Sequence, residues 1–129
     1  MRKPLCVLFT AAIMIWATAA EAKRDPETRL AEITKGRTAG EPVDCIQQIR
    51  ISSTEIVDRT AIVYKMNDGT IYVNRPASGA TFLSKGDVLV TNTHSNQLCS
   101  IDIVRLVSNG THMPAGSVGL GKFVPYRRR

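Results

Sequence analysis

The side chains of this chain that could do chemistry are few and widely spaced. They are Cys45 and Cys99, His94 and His112, and a terminal group of cations, Lys122, Arg127, Arg128 and Arg129. In an oxidising compartment the two cysteines read as one disulfide; the rival reading is two buried thiols. Neither belongs to a C-x-x-C pair, a zinc ligand set or a haem attachment site. Closing this loop would stabilise by roughly 4 kcal/mol in the chain-entropy model, a large share of a small domain's margin of about 5–15 kcal/mol. The histidines stand eighteen positions apart in turn sequences, with Asp87 and Asp102 as distant companions. They read as exposed turn residues, and as metal ligands or catalytic groups only where the fold gathers further donors around them. No G-x-S-x-G elbow accompanies the serines. Ten acids follow residue 22, so pairing any two as glycosidase carboxylates would be arbitrary. Gly119-Leu120-Gly121 lacks the remaining glycines and the strand–loop–helix setting of a phosphate loop. It reads instead as a backbone bend or close approach. No cofactor signature is present.

The formal charge of +6 is unevenly spread. Residues 23–44 carry five basic and five acidic side chains, and residues 45–121 carry six and five. The last eight residues hold Lys122 and the three arginines with no acid. A nucleic-acid-binding domain spreads its basic stripe over a folded face. The near-neutral body and the absence of any nucleic-acid motif exclude that class. The terminal YRRR reads either as a solvated, frayed end or as an electrostatic contact to anionic envelope material. Each basic group beside an anionic bilayer contributes about 1 kcal/mol, and salt weakens it. Four such groups bias location without holding the protein alone.

The start of the chain has the three parts of a secretory signal peptide. Arg2 and Lys3 form a positive end, residues 5–20 are uncharged and mostly apolar, and Ala20-Glu21-Ala22 offers a cleavage site after Ala22. The apolar run is shorter than the roughly 20 residues of a membrane span. Cys6 precedes most of it and leaves with the signal, unlike a lipoprotein cysteine. The exported chain is expected to be soluble, in the periplasm or secreted, and long enough for one small domain.

The elements that must position these residues are mostly strands. Residues 23–44 form an arm with a short helix: Asp25 as cap, Pro26 at the first position, Leu30 and Ile33 on one face, and Gly36 ending it. Residues 45–124 form the β-domain and residues 125–129 a basic tail. Strands are expected over 46–51, continuing to 57, then over 60–66, 88–93, 98–107 and 118–124, with 112–117 irregular and Pro125 ending the last. Asp68-Gly69 fits a two-residue type I′ hairpin loop. That register places Met66 opposite Ile71, Tyr64 opposite Val73 and Ile62 opposite Arg75. One face is then apolar, and the other, with Val63, Lys65, Tyr72 and Asn74, is mixed. Five or six short strands with no helical period among them predict a mainly β fold. The expected form is a small antiparallel barrel or sandwich with a short N-terminal helix and one disulfide.

Four stretches, GEPVDCIQQIRI, DRTAIVYKMNDGTIYVN, QLCSIDIVRLV and GSVGLGKFVPYRRR, resemble a bacterial family of small exported proteins, domain of unknown function 6491. The resemblance runs from about Arg29 onward and rests on the order and spacing of the four pieces. It implies export in Gram-negative bacteria and a pair at Cys45 and Cys99. Some members carry a second cysteine pair near the positions of Ala80 and Val118. Neither is cysteine here, but the pattern implies that these positions are neighbours. The family assigns no catalytic residue. The reading that follows is a non-enzymatic periplasmic β-domain acting as a binding or structural module in the cell envelope. The alternative is a small periplasmic enzyme or metal-binding protein using His94 or His112.

Overall fold

The computed structural model describes residues 25–128; the expected leader over residues 1–22, and Arg129, lie outside the described residues. Helix α1 spans Pro26–Ile33. Pro26 opens it and Glu27 sits in its positive first turn, as expected, but the Asp25 side chain makes no capping hydrogen bond. The Asp25 carbonyl already takes the Arg29 amide at 3.1 Å. Eight residues do not hold a helix by themselves, and tertiary contacts hold this one. Leu30 is buried. Arg29 donates to Glu55 Oε1 from Nε at 2.9 Å and from Nη2 at 2.8 Å. Arg75 clasps both oxygens of Glu27 at 2.8 and 2.9 Å.

The strands are β1 Arg37–Ala39, β2 Cys45–Gln47, β3 Ile51–Val57, β4 Ala61–Met66, β5 Ile71–Asn74, β6 Val88–Thr91, β7 Gln97–Cys99, β8 Ile103–Val107, β9 Pro114–Gly119 and β10 Phe123–Arg128. All pairings are antiparallel. The five-stranded main sheet has the order β1-β10-β5-β4-β3, β2 pairs β7, and β6-β8-β9 form a third sheet. The main sheet ends in two open edges, so the fold is not a closed barrel; a sandwich-like fold fits. One face of the main sheet contributes Ile62, Tyr64, Met66 and Phe123 to a core shared with Ile46, Leu98, Val104, Leu106 and Val118 of the smaller sheets. The opposite face, with Val57, Ala61, Val63, Ile71 and Val73, is covered by Leu30 and Ile33 of α1. Helix, main sheet and smaller sheets thus make three layers.

The strand count exceeds five or six because the long β-rich runs are broken. A 3₁₀ turn over Gln48–Arg50 separates β2 from β3. Between β7 and β8 the Asp102 carboxylate accepts the Cys99 amide at 2.7 Å and closes a turn. The segment 112–117, expected to be irregular, holds most of β9, which pairs with β8 around a register shift at Leu106/Val107. The single strand expected over 118–124 is divided between β9 and β10. Asn74, fully buried, causes the division by holding Gly121 from both sides: its Nδ2 donates to the Gly121 carbonyl at 2.7 Å, and its Oδ1 accepts the Gly121 amide at 2.9 Å. A Cβ at Gly121 would collide with the Arg75 carbonyl, so only glycine fits this approach. The G-L-G motif is therefore a packing device.

The hairpin between β4 and β5 differs from its expected register by one residue. Ile62 faces Asn74, Val63 faces Val73, Tyr64 faces Tyr72 and Lys65 faces Ile71. The loop contains Asn67, Asp68 and Gly69, closed by the Met66 amide on the Thr70 carbonyl at 2.9 Å. Gly69 alone in it has positive φ, at +89°. This is the three-residue loop with a left-handed glycine, in place of a two-residue type I′ turn. Asp68 favours it by accepting the Thr70 amide at 2.9 Å. A one-residue slip exchanges faces, so Ile71 and Val73 move from the inter-sheet core to the helix side. Both faces of this hairpin are consequently apolar enough to be covered.

Candidate functional site

Cys45 and Cys99 face each other across β2 and β7 and are joined by a disulfide. The pair is structural: it closes the two-stranded sheet that packs Ile46 and Leu98 into the core. His94 and His112 are exposed, His94 in the turn before β7 and His112 in the turn before β9 at φ +57°. Among the described residues no three His, Cys, Asp or Glu side chains form a group that could hold a metal ion. Asp102 is committed to the Cys99 amide.

The cations at the end of the chain are distributed differently from a tail. β10 does not stop at Pro125 but runs on to Arg128. Proline lacks the N–H that a ladder uses, which is why it is confined to edges and interruptions of pairing. Here the loss falls on the side of the short edge strand. β1 pairs with residues 126–128, the Gly40 amide donates to the Pro125 carbonyl at 2.8 Å, and the chain then swings away. It returns where Val43 and Phe123 exchange both backbone hydrogen bonds, at 2.8 and 2.9 Å. On the other side Pro125 still stands opposite Tyr72 of β5. Residues 37–39 of the expected arm and 125–128 of the expected tail are therefore both strands of the main sheet.

This placement separates the four expected cations. Lys122 lies before β10, with its ammonium 3.9 Å from Asp44 Oδ1. Arg127 and Arg128 lie at the far end of that strand, and Arg129 is outside the described residues. A residue from the arm joins them: Arg37 stands directly opposite Arg128. Directly opposed residues share a face with Cβ atoms about 5 Å apart, where like charges repel. Arg37 is held in place by carbonyls and not by a carboxylate: its Nη1 donates to the Gly69 carbonyl at 2.6 Å and the Tyr126 carbonyl at 3.4 Å. Arg128 is exposed and makes no ion pair among the described residues.

Arg37, Asp68, Gly69, Thr70, Arg127 and Arg128 line an open cleft at the hairpin end of the main sheet. Asp68 is its single carboxylate. The hydrogen bonds from Thr70 hold its pKa below the usual range, and the charges of Arg127 and Arg50 add to this. Three guanidinium groups in the lining against one already committed carboxylate leave the cleft positive. Guanidinium groups present planar forks of donors that match phosphate and carboxylate oxygens. An anion seated between Arg37 and Arg128 would relieve their mutual repulsion.

Sequence reasoning identified Arg127 and Arg128 but missed Arg37, because a three-residue edge strand carries no periodicity. No protein-family model, curated protein or solved structure matches the chain. Among the described residues no helix is long and apolar enough to cross a membrane.

Proposed function

We propose that the protein is a non-enzymatic periplasmic module that binds anionic groups of the bacterial envelope through the arginine cleft. The observation carrying this reading is the cross-strand pair Arg37 and Arg128, two like charges held face to face beside Arg127, with Asp68 the single carboxylate of the lining. The disulfide supports an oxidising compartment, as do the leader-like residues 1–22 and the likeness to the exported family named above. The ligand chemistry is that of phosphate or carboxylate groups, as borne by lipid head groups, lipopolysaccharide or peptidoglycan. Binding through a few charges at an exposed site is weak and salt-sensitive.

The test is co-sedimentation of the exported protein with purified envelope fractions at low and high salt, beside Arg37→Gln/Arg128→Gln. Substitution replaces truncation after Pro125, since truncation would remove residues paired with β1. On lipid-free envelope fractions, sedimentation of the wild type that salt releases, and that the double variant lacks, is the expected result. Equal sedimentation of both forms would place binding elsewhere, and sedimentation of neither would point to a soluble partner.

A further inference from the structure

The β6-β8-β9 sheet buries one face and leaves the other bare. Val104, Leu106 and Val118 point into the core and are fully buried. The pleat sends their neighbours outward. Val88 stands in a row with Val107 and Pro114, Val90 with Arg105 and Ser117, and Ile103 beside Gly119. Val88 is 48% exposed, Val90 43% and Ile103 65%, and Ile101 leads into β8 at 89%. Arg105 lies at the centre of this aliphatic surface. It has no hydrogen-bond or ion-pair partner among the described residues. Shallow clefts flank it on either side, one with Ile101 and Ile103, the other with Val107 and Pro114, and both include Val90 and Arg105.

Charge and area decide what covers such a face. A second copy would bring a like face, each with an unpaired Arg105 at its centre; the single carboxylate of the flanking clefts, Asp102, lies at one end and turns its Oδ2 to the Cys99 amide. Three strands spaced ~4.8 Å apart, each about five residues long at ~3.3 Å per residue, have a flat footprint of roughly 240 Å², to which side-chain relief and Ile101 add accessible area. A stable protein interface uses about 800 Å² per partner, and its energetic anchors are typically Trp, Tyr and Arg. This face offers no aromatic anchor and few hydrogen-bonding groups. An anionic bilayer makes neither demand: aliphatic side chains gain by entering the boundary of head groups and acyl chains, and a cation gains at the phosphate level.

We infer that the outer face of this sheet docks on an anionic phospholipid bilayer, with Val88, Val90, Ile101 and Ile103 entering it and Arg105 meeting lipid phosphate. The contact shares no residue with the arginine cleft and does not depend on it.

The experiment uses the exported protein carrying Ile101→Trp. The native tryptophan, Trp16, lies in the leader-like segment, so the reporter is alone. Vesicles of phosphatidylcholine, with and without phosphatidylglycerol, are prepared with and without acyl-chain bromination. The expected result is blue-shifted emission quenched by the brominated chains, strongest with phosphatidylglycerol. Val90→Asp/Ile103→Asp should cut the bound fraction at least tenfold, and Arg105→Gln should remove the preference for phosphatidylglycerol. Both substitute exposed positions, and unchanged melting curves verify the fold. Arg37→Gln/Arg128→Gln should leave the quenching in place. Vesicle binding lost only in that cleft variant would overturn the inference while leaving the proposed cleft function standing. So would binding by no form, binding insensitive to Val90→Asp/Ile103→Asp, or a dimer in sedimentation that Ile103→Asp dissolves without any vesicle binding.

Discussion

Replacing Asn74 should disrupt the turn that separates β9 from β10. The side chain is fully buried and satisfies both backbone groups of Gly121, at 2.7 and 2.9 Å. Asn74→Ala leaves that amide and carbonyl without partners. Each unsatisfied buried polar group costs about 1–3 kcal/mol, and some relaxation toward water brings the pair to about 2–4 kcal/mol. For a domain of this size that lowers the melting temperature by roughly 10–25 °C. Asn74→Asp sharpens the test, because it keeps the acceptor for the Gly121 amide but sets a carboxylate against the Gly121 carbonyl. Burial and that carbonyl both disfavour the charged form, so the introduced carboxyl has a folded pKa above its unfolded value near ~4. Between the two values the folded state holds the extra proton, so stability falls as pH rises. The deficit relative to wild type should be largest near neutral pH and smallest near about pH 4, where the protonated group can donate to the carbonyl. Urea unfolding at both pH values measures this. A loss below about 0.5 kcal/mol for Asn74→Ala, within the usual range for surface substitutions, would refute the reasoning. So would a pH-independent deficit for Asn74→Asp.

Three further outcomes are expected. Cys45→Ala/Cys99→Ala opens a loop of sequence separation 54, and urea midpoints should show a loss of up to about 4 kcal/mol; a loss below about 1 kcal/mol would contradict the assigned role. Glu27, through its hydrogen bond from Arg75, and Asp68, through those from Thr70, have pKa values held below the carboxylate range. Their contribution is therefore present above about pH 4 and lost as pH falls through the lower folded values, and Glu27→Gln/Asp68→Asn should flatten that acid loss in melting curves. Leu30→Ala removes the buried contact of α1 at a cost of about 2–3 kcal/mol, and trypsin should then cut faster at Arg29 and Lys35, whereas unchanged cleavage would mean that the ion pairs alone hold the helix.

How far the sequence revealed this fold depends on where each signal lay. The hairpin was visible in Asp68-Gly69, and so were the antiparallel β class and the short N-terminal helix. The register was not, because alternation in β4 and β5 permits either pairing and the decision rests on the Asp68 carboxylate reaching the Thr70 amide. Pro125 and the polar YRRR suggested an end, since local chemistry there disfavours a strand. Pairing with β5, and with a β1 too short to recognise, overrides it. β9 was hidden for the same reason: Pro114, Gly116 and Ser117 are poor strand formers, recruited by β8. The arginine cleft was half legible, with Arg127 and Arg128 in plain view. Arg37 entered only once strands ninety residues apart were placed side by side. The uncovered aliphatic face could not be read at all, because Val88, Val90, Ile101 and Ile103 look like core residues until the other layer is found to be missing.

The most direct measurement of the central claim is amide chemical-shift mapping of the exported protein titrated with pyrophosphate at low salt, with chloride of equal ionic strength as control. The account predicts saturable shifts at Arg37, Gly69, Thr70, Arg127 and Arg128, absent with chloride and abolished in Arg37→Gln/Arg128→Gln. Shifts confined to other regions, or identical for pyrophosphate and chloride, would contradict it.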